Sequence, residues 1–255
     1  MNQDELTHNH DSAGVSQLSA DPGRLHACTM LPRFIGMDIR MAKNKLRRRL
    51  GLHELIQLVP DAYKIPDSSI ATKATELVRD LSDEYLLNHC YRTYAFGCIL
   101  AHQDGMRFDR EVFYLSSIMH DLGVTDKHAE EPGSFEYVGA RVAHQFCLDA
   151  NYQRERADLV HEAIALHSAV GIAHAKDPEI ALVHFGAGVD VIGIRFDEIP
   201  EHAMAEVLEL YPRLGFKEAF SAVLRKQYEL KPDSHISAHM GLGFEKKLKG
   251  TPFSD

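Results

Sequence analysis

The chain has 255 residues, of which 45% are hydrophobic and 25% charged, and its formal net charge is -9. This is enough chain to bury a sizeable core with an ordinary globular composition, and the negative balance argues against a nucleic-acid backbone as the main partner. No apolar run approaches the ~18 residues that would cross a bilayer, so a soluble protein without a membrane-spanning helix is expected.

Residues 1 to about 28 are polar and carry Gly14, Pro22 and Gly23, so a mobile tail is expected, with His8 and His10 of no consequence there. From Met30 to Pro60 the apolar residues cluster without a clean period, and the basic run Lys43 to Arg49 reads as a solvated face. Residues 1–60 are therefore expected to be an N-terminal extension, partly disordered, with one short helix and the capacity to mediate a homo-oligomer. The chain has no charged-then-apolar start. Its four cysteines, Cys28, Cys90, Cys98 and Cys147, make no CxxC pair, so the expectation is reduced thiols in a cytoplasmic protein.

Regular structure is predicted from Asp67 or Ser68, either of which caps a helix with Ile70, Ala74, Leu77, Val78 and Leu81 on one face. Further helices are predicted from Asp83 to His102, Arg110 to His120, Phe135 to Leu148, Arg154 to His167 and Pro178 to Ile192. Two more run from Glu201 to Glu209 and from Phe216 to Lys226, and a polar tail over 231–255 closes the chain. No stretch alternates with period two. The fold class is all-α: one domain of about eight helices over residues 61–230.

Three polar residues break the inward stripes of these helices. His89 shares a stripe with Leu86 and Thr93, His167 follows Val160 and Ile164, and Asp190 follows Val183 and Ala187. The pair His120-Asp121 ends the third predicted helix. Imidazole and carboxylate are both ligands for a borderline divalent metal. A buried, unpaired carboxylate is costly, and a shared cation would answer for Asp121 and Asp190 together.

The order His89, then His120-Asp121, then Asp190, each on its own helix, resembles the H…HD…D pattern of the HD-domain metalloenzymes. Local words narrow the match: IPDSSIATKATELVRDLSDEYLLNHCYRTYAFG (65–97), HDLGVT, FEYVGARVA (135–143), EAIALH (162–167) and GAGVDVIG (186–193). Over roughly residues 60–230 they are similar to the cyanamide-hydratase-like HD proteins. The resemblance implies an HD helical bundle and a metal held by His89, His120, Asp121 and Asp190. Relatives with two or three metals carry a further histidine where this chain has Phe135, and often a double histidine where it has His167-Ser168, so a single ion, zinc or alternatively iron, is implied.

The implied activity is hydration of a small nitrile-type molecule such as cyanamide, to urea, by metal-bound hydroxide, with that small molecule as the expected substrate. His167 is the expected proton carrier, with a ligand role left open; Thr125, Lys127 and Glu136 are expected to line the pocket. Two alternatives are an HD phosphohydrolase acting on a nucleotide or phosphomonoester, and an HD oxygenase, which needs a second metal. A catalytically idle HD binding module is disfavoured by the complete ligand set.

Overall fold

All eight helices expected between residues 67 and 226 form in the computed structural model, which describes residues 27–51 and 61–255. They are α2 (Ser69–Leu81), α3 (Glu84–Asp104), α4 (Arg110–Met119), α5 (Phe135–Asp149), α6 (Arg154–Leu166), α7 (Pro178–Ile192), α8 (Glu201–Leu210) and α9 (Phe216–Leu230). Before them stands α1 (Ala27–Arg49), and after them α10 (His235–Gly241) and α11 (Phe244–Lys249). Among the described residues there is no strand, so the fold is all-α. No helix among them is long and apolar enough to cross a membrane.

Local chemistry sets the boundaries. The hydroxyl of Ser68 accepts from Ala71 N–H at 3.3 Å, the Asp109 carboxylate accepts from the N–H groups of Glu111 and Val112, and Ser134 accepts from Tyr137 N–H at 3.4 Å, starting α2, α4 and α5. Helices α3 and α7 pack closely along their length. Gly186 makes that possible, because a Cβ there would fall 2.1 Å from the carbonyl oxygen of Thr93. Hydrogen in place of a side chain brings the two helices together at the level where α3 carries His89 and α7 carries Asp190.

The largest core joins α2 to α7 around Phe113, Tyr114, Leu115 and Ile118 of α4, all within 1% of full burial. A second core, with Phe216, Phe220 and Leu224 of α9, Ile236 of α10 and Phe244 and Leu248 of α11, covers the ends of α3 and α7.

Two terminal regions differ from the sequence expectation. The segment 231–255 is not simply a polar tail: α10 and α11 each bury apolar residues, Ile236 and Leu248 being 2% and 0% exposed, and Phe253 beyond them is buried too. Each helix has only one or two buried apolar positions, too few to register as a period. In the N-terminal extension, α1 is longer than the short helix expected. Its polarity is also inverted: Leu31, Ile35, Ile39 and Leu46 are about half exposed or more, whereas Met37 is buried and Met41 and Asn44 half-buried. The expected mobile tail, with His8 and His10, lies outside the described residues up to position 26, as do Leu52, Leu55, Ile56 and Leu58.

Candidate metal centre

Burial of α3 and α4 against one another brings His89, on the second turn of α3, beside His120 and Asp121 at the end of α4; all three are at most 2% exposed. The imidazole Nδ1 of His120 lies 2.7 Å from the carbonyl oxygen of Ser117, and that of His167 lies 2.7 Å from Ile164 O. A carbonyl can only accept, so both Nδ1 atoms carry a proton, and in the neutral ring Nε2 is then the lone-pair nitrogen. His89 is fixed in the same way by a carboxylate: its Nδ1 donates to Asp190 Oδ2 at 2.7 Å.

The free nitrogens converge. His89 Nε2 is 3.2 Å from His120 Nε2. Asp121 Oδ2 lies 3.5 Å from the first and 3.4 Å from the second, and His167 Nε2 lies 3.8 Å from Asp121 Oδ1. These ligand atoms of His89, His120 and Asp121 all lie within 4.8 Å of one another. Two unprotonated nitrogens and a carboxylate oxygen facing each other repel unless a cation stands between them. Asp121 Oδ2 is buried and has no hydrogen-bond partner. The donor set, two imidazoles and a carboxylate with a third imidazole close by, therefore fits a divalent metal, and the orphaned oxygen is the atom a metal would satisfy.

Electrostatics agree. Burial raises the pKa of Asp121 above the usual carboxylate range, against the lowering pull of His89 and His167. Burial, followed by His167, pushes His120 down to about 3, and burial lowers His89 in spite of Asp190. The histidines are thus neutral, as ligands must be.

Asp190 does not join this cluster. Arg92 donates to Oδ1 from Nε at 2.9 Å and to Oδ2 from Nη2 at 2.8 Å, and Arg213 Nη1 donates to Oδ1. Burial would raise its pKa, yet Arg92, His89 and Arg213 together hold it well below the usual range. Both oxygens face arginines and the rear of His89, so Asp190 stands behind that ring and holds its orientation. Phe216 completes this support: its ring stacks on His89 at 4.7 Å, and the guanidinium carbons of Arg92 and Arg213 lie 5.3 and 4.9 Å from its centroid.

A chamber of about 60 Å³ opens on the cluster, walled mainly by apolar side chains, among them Phe135, Val191, Phe220, Leu224, Ile236 and Phe244. His167 is on its wall, with the Phe135 ring edge-on to it at 5.6 Å. Glu136 is buried next to the chamber, and one of its oxygens accepts from the hydroxyl of Ser168, a wall residue, at 2.5 Å. Thr125 and Lys127, expected to line the pocket, do not. The Thr125 hydroxyl donates to Leu122 O at 2.7 Å, closing the turn after the HD pair, and Lys127 is exposed beyond it.

Sequence reasoning missed four residues. Arg92 stands one turn after His89 on the same inward face, and the cost of burying its charge was the available signal. Arg213, Phe216 and His239 had none: Arg213 lies between helices, Phe216 reads as ordinary core, and His239 sits in the supposed tail. His239 and His184 both line the chamber.

Residues 86–188 match the family model of the HD domain. Cyanamide hydratase DDI2 and cyanamide hydratase DDI3 of Saccharomyces cerevisiae are each 27% identical to this chain over 188 residues, which is 72% of this chain and 83% of each relative.

Proposed function

We propose, because the chain belongs to the cyanamide-hydratase-like family of HD-domain proteins, that this metal-dependent enzyme of the hydratase and hydrolase class acts on a compact nitrile-type substrate such as cyanamide, giving urea. His89, His120 and Asp121 would hold the ion, zinc or alternatively iron, with Asp190 fixing the His89 ring from behind. When bound, a divalent ion supplies a Lewis acid that lowers the pKa of water towards ~7. A single ion is supported by Phe135, whose ring occupies the place of a further histidine and cannot ligate.

The observation that carries the reading is the convergence of these atoms on a chamber of about 60 Å³. A single water needs roughly 10–15 Å³ on such a measure, so there is room for a molecule of only a few non-hydrogen atoms. His167 holds its Nε2 as an acceptor 3.8 Å from Asp121, where it can take a proton from water and return it to the substrate nitrogen. In a ligand role the same nitrogen would complete the donor set. The buried Glu136 carboxylate, through Ser168, would position the chamber wall beside His167.

The test is metal analysis together with turnover. Purified protein should contain about one equivalent of zinc or iron per chain and convert cyanamide to urea. Metal-replete protein that leaves cyanamide and other small nitriles untouched would sink the substrate assignment. Turnover of phosphomonoesters with added Mn or Mg would favour the phosphohydrolase instead. That reading is opposed by the chamber wall, which among the described residues carries no Lys or Arg to meet a phosphate.

A further inference from the structure

A second cavity, of about 430 Å³, lies between α1 and the body of the protein, lined on one side by Arg33, Met37, Arg40 and Asn44 of α1 and on the other by Arg195 and Glu198. Val170, His184 and Ile194 line both this cavity and the metal chamber, so the two spaces share a wall. Their chemistry is opposite: among the described residues the chamber has no Lys or Arg, whereas the outer cavity has three arginines and one carboxylate in a chain of net charge -9.

That carboxylate is already engaged. Arg195 donates to one oxygen of Glu198 and Asn44 donates to the other at 2.7 Å, while Asp104 takes the remaining fork of Arg195. Arg33 is different. Its stem lies over Gly171, which has a φ of +80° and would put a Cβ 2.9 Å from Arg33 Cδ, so the backbone is shaped to seat this side chain. Its Nη1 is out of contact with solvent and has no hydrogen-bond partner among the described residues. A buried guanidinium N–H without an acceptor is unfavourable and calls for one.

The inverted polarity of α1 points the same way. A helix held only by hydrophobic burial turns its Leu and Ile inward. Here Leu31, Ile35, Ile39 and Leu46 are about half exposed or more, and the opposite stripe, with Arg33, Arg40 and Asn44, lines the cavity. The inward face of α1 is suited to a charged occupant.

We propose that this cavity is a binding site for a small anion bearing a carboxylate or phosphate group, held by Arg33 and Arg40 against the outer wall of the metal chamber. The site stands independently of which molecule is turned over inside.

Calorimetric titration of the metal-replete full chain with inorganic phosphate, and separately with succinate, at fixed ionic strength tests it. The expected result is saturable binding of at least one of them, one site per chain, weakened at least tenfold in Arg33→Met and in Arg40→Met and weakened further by added salt. Binding of phosphate alone or succinate alone identifies the group recognised. Binding of neither, or binding of equal strength in both variants, as an anion seated on the metal would show, overturns the proposal. Thermal unfolding checks that the variants fold; should Arg33→Met fail, Arg40→Met, at an exposed position, decides alone.

Discussion

Asp121 and Asp190 are the same residue at the same depth, 2% and 0% exposed, and their surroundings drive them in opposite directions. Asp190 meets two guanidinium groups and an imidazole N–H, and its carboxyl is held well below the usual range. Asp121 faces two nitrogen lone pairs, keeps one oxygen without a partner, and has its pKa raised by burial. One aspartate is complete within the protein; the other is completed only by something added. Burial alone therefore does not distinguish a structural carboxylate from a ligand, whereas the count of donors around it does.

The contrast can be broken most severely at Asp121. Asp121→Ala should release the metal, seen by elemental analysis, and reduce nitrile turnover to background; retention of both would overturn the ligand assignment. In metal-free protein the same carboxylate is a liability, so Asp121→Asn should raise the unfolding midpoint there, while Asp190→Asn should lower it. Removing one partner from a buried charge network costs about 3–5 kcal/mol, which denaturant unfolding of Asp190→Asn should show, together with a fall of ~10–100-fold in metal affinity from the loss of His89 orientation.

Acid titration sharpens the comparison by a smaller amount. His120, at about 3, and His89 have folded pKa values below that of the unfolded chain, about 6.5, so the unfolded state binds more protons in between. Metal-free protein should therefore lose stability as pH falls from about 6.5 towards 3. The Asp190 network adds a further loss only below about 4, the unfolded carboxylate value. A flat midpoint between pH 6.5 and 4 would contradict the buried, neutral histidines. The smallest effect is expected at Lys127, where Lys127→Ala should change neither turnover nor stability by more than about 0.5 kcal/mol, as for an ordinary surface position.

The eight central helices were legible because each carries several apolar residues at helical spacing. The candidate metal cluster was legible too: His89 interrupts an apolar stripe, and His120-Asp121 ends one. Asp190 was legible as an inward carboxylate but not by its partners, since Arg213 comes from a loop far along the chain. Helix α1 escaped because its apolar stripe faces outward, and α10 and α11 because a helix of one or two turns leaves no period to read. Thr125 and Lys127 show the limit of adjacency: their place beside the HD pair put them in the pocket on paper, and one turn of backbone carried them away from it.

The contact that Gly186 permits divides the chamber into two halves with different freedom to vary. Where α3 meets α7 there is no slack: the carbonyl of Thr93 sits where a side chain would begin, and His89 and Asp190 are spaced by backbone against backbone. The remaining wall includes Phe220, Leu224, Ile236 and Phe244, side chains on the helices late in the chain. Trimming or enlarging Leu224, Ile236 or Phe244 would change which molecule fits while leaving in place the phenyl rings that lie against His89. In such an arrangement the range of substrates can drift while the chemistry stays fixed.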